Sequence, residues 1–420
     1  MLKVISQASQ TRFLGVRLSE RKLTVIVYSV AIGLYFFGAW LHIPYGGGHI
    51  YSDIPSVFQT RECPKVCDIK IPYIQTFFEY PVVVSMFIYA MGELGGALPG
   101  SLLSNYYWFT VAFLLIPTLL LVRELQILAR MRGRDKAKVL WYFVVTPTFV
   151  YVLLLNWYVI GTYFAISGLR RYLQGQPLSS GLFFGLSAAS NLVTAAPVLG
   201  LLVASKNVRE RLALVLVGGA TYLLINTPFI VLNFKLWYEA FHFVYNWYTE
   251  DSWILAVSND NYSPLRHVIP PVVFGVILLG MLIARYKGRS TDPVVYAFVS
   301  MAGYVFSSYI YTPQENVALL PFFVLLPLAN SYVEFLAFDA ANSLIIILGF
   351  SQALYYPFGI SYQFAPFTPY GLVWWIEVIR SLWVGKFVAL NGFPRLFVPS
   401  LGRVHDRLLR RGNDTTVKAD

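Results

Sequence analysis

Asp53 is the residue of this chain best placed to act as a base. It sits in residues 49–81, HIYSDIPSVFQTRECPKVCDIKIPYIQTFFEYP, together with Arg61, Glu62, Asp68, Glu79 and both cysteines. The chain as a whole is 57% hydrophobic and 13% charged, so this gathering of polar groups is unusual within it. A carboxylate beside a hydroxyl can take its proton as the oxygen attacks an electrophilic carbon. The plainer alternative is a helix cap or a loop carboxylate. Arg266 and His267 directly precede an apolar run. They suit a phosphate, which a planar guanidinium meets with two donors; the alternative is an interfacial anchor. Glu79 can hold a substrate hydroxyl, pair with Arg61, or cap the helix that Pro81 opens. Gln314 and Glu315 follow Pro313 in TPQEN, either as contacts to a donor or an acceptor or as a plain turn.

Other chemistries are missing from the sequence. There is no phosphate-binding GxxxxGK[ST], no dinucleotide GxGxxG, no HExxH and no GxSxG. None of the five histidines has a partner at metal-ligand spacing. Position 55 is proline, so Asp53 lacks the second carboxylate of a DxD element. The expectation is a site that works without metal or cofactor. Cys63 and Cys67 are spaced CxxxC, which fits a local disulfide if their loop is external and is a weak metal signal.

The elements that position these residues are membrane helices. Among 420 residues, several apolar runs approach the ~18–20 residues that cross a bilayer. The run 23–41 is too long for a signal-peptide core and reads as a retained helix. The net charge of +11 lies in short clusters between apolar runs, so orientation in a membrane explains it better than nucleic-acid binding. Basic residues before residue 23 place that end in the cytoplasm and the 49–81 loop outside. The block RELQILARMRGRDKAK (123–138) should also be cytoplasmic, so one of the runs 81–98 and 106–122 does not cross. Runs at 139–158, 159–171, 181–205, 212–231, 268–284, 293–311, 317–329, 335–350 and 369–390 follow. The expected fold is an all-α polytopic membrane protein of roughly 10–13 membrane helices with long external loops. Residues 1–390 form one membrane domain and 391–420 a basic cytoplasmic tail. Residues 233–267 are expected as a second long external loop and 351–366 as an aromatic one. Three polar segments then share the external side: 53–79, the loop with TEDSW and NDNYSPLRH, and TPQEN. A cavity between them, open to lipid and water, suits a substrate with an apolar tail and a polar head.

At these segments the chain resembles the GT-C type membrane glycosyltransferases. The likeness is to the polyprenol- or dolichol-phosphate-mannose-dependent mannosyltransferases, a group that includes the catalytic subunits of GPI mannosyltransferase I. It rests on Tyr51-Ser52-Asp53, Pro72-Tyr73, Phe78-Glu79-Tyr80-Pro81, Asp251-Ser252-Trp253, Asn261-Tyr262-Ser263-Pro264, and Pro313-Gln314 ahead of Leu319-Leu320-Pro321. Order and spacing agree over roughly residues 24–330. The family often has a lysine near where this chain has Asn191, and an acid or amide where Tyr158 follows Asn156-Trp157. The resemblance implies a GT-C-like bundle and a polyprenyl- or dolichyl-phosphate-linked hexose donor, with mannose the expected sugar. It implies a lipid-linked or glycan acceptor and chemistry on the non-cytoplasmic face of the cell membrane, or of the endoplasmic reticulum in a eukaryote. It assigns Asp53 as base and places Tyr73, Glu79, Tyr80, Asp251 and Ser252 around the substrates. Transfer would invert the anomeric carbon, with Arg266 and His267 on the departing phosphate.

The competing reading is a secondary transporter or lipid flippase, which calls for charges in mid-helix and repeat symmetry. The mid-helix candidates are Glu93, Glu334, Asp339 and Glu377, and Glu377 with Arg380 has the spacing of an i,i+3 pair. A non-catalytic scaffold is the third reading.

Overall fold

A computed structural model describes residues 11–13, 16–44, 48–62, 69–258, 260–288, 292–354 and 369–393. The two cysteines, most of the 351–366 loop and nearly all of the 391–420 tail lie outside the described residues. Apart from a short antiparallel strand pair, Thr11–Phe13 with Val16–Leu18, the regular elements described are helical. The first half holds α1 (Glu20–Leu41), α2 (Asp53–Val57), α3 (Val82–Gly96), α4 (Leu102–Met131), α5 (Ala137–Val139), α6 (Pro147–Tyr151), α7 (Tyr158–Leu173) and α8 (Pro177–Ser190). The second holds α9 (Pro197–Ala204), α10 (Val208–Asn246), α11 (Ile254–Ser258), α12 (Leu265–Tyr286), α13 (Pro293–Ser307), α14 (Asn316–Leu325), α15 (Tyr332–Leu344) and α16 (Leu372–Phe387). Five helical segments are long and apolar enough to cross a bilayer: α1, α4, α10, α12, and α15 with its continuation to Phe350. This is an all-helical polytopic membrane protein.

Polar contacts fix which ends lie together. Lys136, just beyond α4, donates to Glu20 at the start of α1 (2.9 Å). Arg132 grips Asp292, the residue that caps α13, with two nitrogens at 3.0 and 2.6 Å. The basic block therefore gathers with the starts of α1 and α13. The short helix α3 abuts the other end of α4: Asn105 donates to the Gly95 carbonyl at 3.2 Å. At 15 residues, α3 is about 22 Å long, short of a ~30 Å hydrocarbon core. Of the two runs, α4 is long and apolar enough to cross and α3 is the shorter.

Several expected runs are broken instead of continuous. Residues 181–205 divide into α8 and α9, because Asn191 is extended and Pro197 opens a new helix. Residues 139–158 divide at Val145–Thr146, where the Thr146 side chain caps α6 and Pro147 takes its first position. The segment 233–267, expected as a loop, is helical over its first part. Asn233 leaves helical geometry (φ −157°, ψ 81°), and its side chain then caps a second arm of α10 by accepting from Leu236 N at 3.2 Å. That arm carries Trp237, Ala240, Phe241 and Val244 on one face, the i, i+3, i+4, i+7 spacing of a helix that buries one stripe.

Small residues bring the helices close. A Cβ added to Gly200 in α9 would lie 2.1 Å from the Tyr296 carbonyl oxygen of α13. Backbone cannot yield as a side-chain tip can, so Gly200→Ala should force α9 off α13. The expected cost is about 1–3 kcal/mol, read as a lower thermal unfolding midpoint in detergent. An unchanged midpoint would show that these helices are not packed this closely.

Candidate active site

Asp53 is built into place by backbone on both sides. Ser52 caps α2 by accepting from Ile54 N (3.1 Å), and its hydroxyl donates to the Leu154 carbonyl at 2.8 Å. Asp53 N donates to the Leu155 carbonyl (2.8 Å), and Tyr51 N to the Ser351 hydroxyl (2.9 Å). The carboxylate then receives three side-chain donors. Tyr51 OH meets Oδ1 at 2.9 Å, Asn156 Nδ2 meets Oδ2 at 2.9 Å, and Tyr80 OH meets Oδ2 at 3.5 Å. Asn156 also donates to Tyr80 OH at 3.0 Å, so the donors brace each other.

This group opens onto a cavity of about 610 Å³. The three polar segments converge there, as expected from sequence: Asp53, Glu79 and Tyr80 from the first, Glu250 from the second, Gln314 and Glu315 from the third. The second and third segments are joined by a backbone bridge, with Glu250 N donating to Tyr309 O and Tyr311 N to Glu250 O, both at 2.9 Å. The tips of the short inner helices supply Asn156, Tyr158 and Asn191, and the second arm of α10 contributes its aromatic stripe. The surface thus combines carboxyls and amides with Tyr, Trp and Phe rings, suited to a polar ring with a hydrocarbon attachment.

Burial dominates the electrostatics. It raises Asp53 to about 6; the donors from Asn156, Tyr51 and Tyr80 pull downward and the Glu79 charge pushes further up. Burial, with Asp251 next to it, also lifts Glu250, to about 8, against the pull of the Trp247 indole N–H, which donates at 2.7 Å. Glu315 is driven well above the usual carboxylate range by burial; Arg380 and the Tyr158 hydroxyl oppose it.

Other expected site residues are engaged within the protein or lie away from the cavity. Tyr73 lines the cavity, but its hydroxyl is bonded to Ser85 at 2.8 Å. Asp251 and Ser252 are 1% exposed and sit behind the wall; Ser252 donates to the Ser308 carbonyl at 2.7 Å. Arg266 does not reach the cavity. Its guanidinium turns back to the Tyr262 and Ser263 carbonyls and lies over the Tyr262 ring, the nearest acceptors to the first turn of α12. His267 stacks on Tyr245 (centroids 4.2 Å apart) and only edges Tyr309, a cavity residue. The Arg61 side chain lies outside the described residues. Among the described residues, no Lys, Arg or His lines the cavity, and no group of three His, Cys, Asp or Glu is arranged around a metal position.

Glu377 and Arg380 form no ion pair with each other. Arg380 is 0% exposed and directs its two terminal nitrogens to Asn342 Oδ1 (2.7 Å), the Asp251 carbonyl (2.8 Å) and the Tyr311 carbonyl. Asn342 in turn donates to the Pro313 carbonyl at 3.0 Å, so α15 and α16 together hold the turn that presents Gln314 and Glu315. Sequence reasoning missed Asn156, Glu250 and Arg380. Asn156 was legible only as part of the Asn156-Trp157 element. Glu250 adjoins the acid that was chosen, and the positive φ of Asp251 (54°) turns the two side chains apart. In comparisons with known proteins, no family model matches the chain and no curated protein matches it.

Proposed function

We propose that this membrane protein is a glycosyltransferase. It moves a hexose, mannose by resemblance, from a polyprenyl- or dolichyl-phosphate donor to a hydroxyl of a lipid-linked or glycan acceptor, on the non-cytoplasmic side. The observation that carries the reading is Asp53: a half-buried carboxylate with three donors, facing a cavity walled by the three polar segments. Asp53 takes the proton of the acceptor hydroxyl as that oxygen attacks the anomeric carbon from the face opposite the phosphate. The lipid phosphate leaves with the bonding electrons, so the configuration inverts. A base that must be ionised near neutral pH, yet avid for a proton, works best with a pKa just below the working pH.

The sign of the pH dependence follows. Asp53 is raised to about 6, so it is ionised above that value and protonated below it. The donor is a phosphodiester and does not titrate there. Transfer by the reconstituted protein should therefore fall as pH drops through about 6, measured as kcat/KM at fixed acceptor. A rate that stays level down to pH about 4, the ordinary Asp range, would contradict a buried Asp53 as base.

The transporter reading gains less support from the mid-helix acids. Glu334 pairs with Lys386, Asp339 accepts from Thr148 N at 2.9 Å, and Glu93 is exposed, while the fourth, Glu377, is buried against Asp251.

A further inference from the structure

A lipid-phosphate donor brings negative charge into a cavity that already carries Asp53, Glu79, Glu250 and Glu315 and, among the described residues, has no basic side chain in its wall. Behind that wall the imbalance continues. Asp251 and Glu377 present their buried carboxyls to one another, and neither oxygen pair has another hydrogen-bond partner. One guanidinium, Arg380, serves the whole group, and its bonds go to a side-chain amide and two backbone carbonyls, not to a carboxylate. The four buried carboxyls around this cation, Glu250, Asp251, Glu315 and Glu377, cannot all be ionised, because an unpaired charge in low dielectric is far costlier than a bound proton.

We infer that Glu250 stands in this cavity as a neutral carboxylic acid and donates a hydrogen bond to the donor's phosphate, in the position where a cationic clamp would be expected. This rests on the transferase reading. Glu250 lines the cavity at 7% exposure. Its Oε2 accepts from Trp247 Nε1 at 2.7 Å, and its other oxygen is not among the buried atoms, so as an acid it is oriented to donate into the cavity. Glu315 also lines the cavity, but its Oε1 is held by Tyr158 OH at 3.5 Å and its Oε2 is sealed from the cavity. A carboxylate there would repel the phosphate; a carboxylic acid binds it and gains as charge builds on the leaving oxygen. No proton need leave this acid. The acceptor's proton goes to Asp53, the new bond forms from the acceptor oxygen to the anomeric carbon, and the breaking bond's electrons stay on the lipid phosphate.

Groups from every side bear on Glu250. Tyr248 and Asp251 come from its own loop, Tyr51 and Asp53 from the start of α2, Glu315 from the third segment, and Glu377 and Arg380 from α16. Arg380 is the one cation among them.

The test uses the full chain in liposomes, comparing wild type, Glu250→Gln and Glu250→Ala. Infrared spectra at neutral pH should show a carboxylic-acid C=O band that weakens in Glu250→Gln. Transfer by the wild type should fall as pH rises through about 8, and that limb should vanish in Glu250→Gln. Glu250→Ala should lose about 10- to 100-fold in transfer, the worth of a hydrogen bond to a charged group, and Gln should recover part of that loss. An acid band unaltered by Glu250→Gln, or an alkaline limb that persists in it, would overturn the inference while the transferase stands. Wild-type protein that transfers no sugar, with the Glu250 band present, would instead overturn the transferase reading and, with it, the phosphate role.

Discussion

Replacing Asp53 by asparagine should lower sugar transfer by about 10²–10⁴-fold, the usual worth of a positioned general base. The two side chains have the same shape, and an amide oxygen can still accept from Tyr51 or Asn156. What the amide cannot do is take a proton. Proton transfer is made only in the transition state, so kcat should fall and the donor KM should hold. Folding is a separate readout: the variant should keep its unfolding midpoint, since burial disfavours the charge that the substitution removes. Transfer surviving at wild-type rate would take Asp53 out of the chemistry and leave it as a first-turn carboxylate of a short helix.

Arg380→Met should cost about 3–5 kcal/mol of stability, because it strips the buried acids of their one nearby cation. The side chain is fully buried in α16, its guanidinium lies 3.7 Å from the centre of the Tyr311 ring, and it bonds three separate elements. Methionine fills similar space but leaves the Tyr311 carbonyl and the Asn342 amide oxygen unpaired, and the Asp251 carbonyl with the Ser381 hydroxyl alone, as well as removing the positive charge beside the acids. Lysine should restore only part of the loss, since a point charge cannot meet acceptors on three elements at once. The measurement is the unfolding midpoint and the yield of monodisperse protein. A methionine variant as stable as wild type would mean that the acids are compensated by protons alone.

The long spans were legible because uninterrupted apolar runs of this length have few other uses. The run 23–41 lies within α1, and 268–284 within α12. The broken spans were not, because one extended asparagine or one proline cap divides an apolar run without changing its hydropathy. Asn191 and Pro197 do this between α8 and α9. The second arm of α10 was taken for loop because its stripe is aromatic and mixed with polar residues, which hydropathy alone scores as surface.

At the site, the residues contributed by polar segments beside helix ends could be read: Asp53, Glu79, Tyr80, Gln314 and Glu315 all line the cavity. The residues that brace them could not. Asn156 is 103 positions from Asp53, and Arg380 is 129 from the Asp251 carbonyl that it holds. Such contacts exist only once the helices have packed. Arg266 misled for a related reason: a basic residue at a helix start suits a phosphate, but its own loop's carbonyls lie nearer than the cavity.

The central claim is best tested by reconstituting the wild-type protein in liposomes with polyprenyl-phosphate mannose labelled in the sugar, together with a total membrane lipid extract. The account predicts a new labelled glycolipid, release of the unlabelled lipid phosphate, and inversion at the anomeric carbon. Donor that crosses the bilayer chemically intact, with no labelled product, would contradict it and identify a transporter.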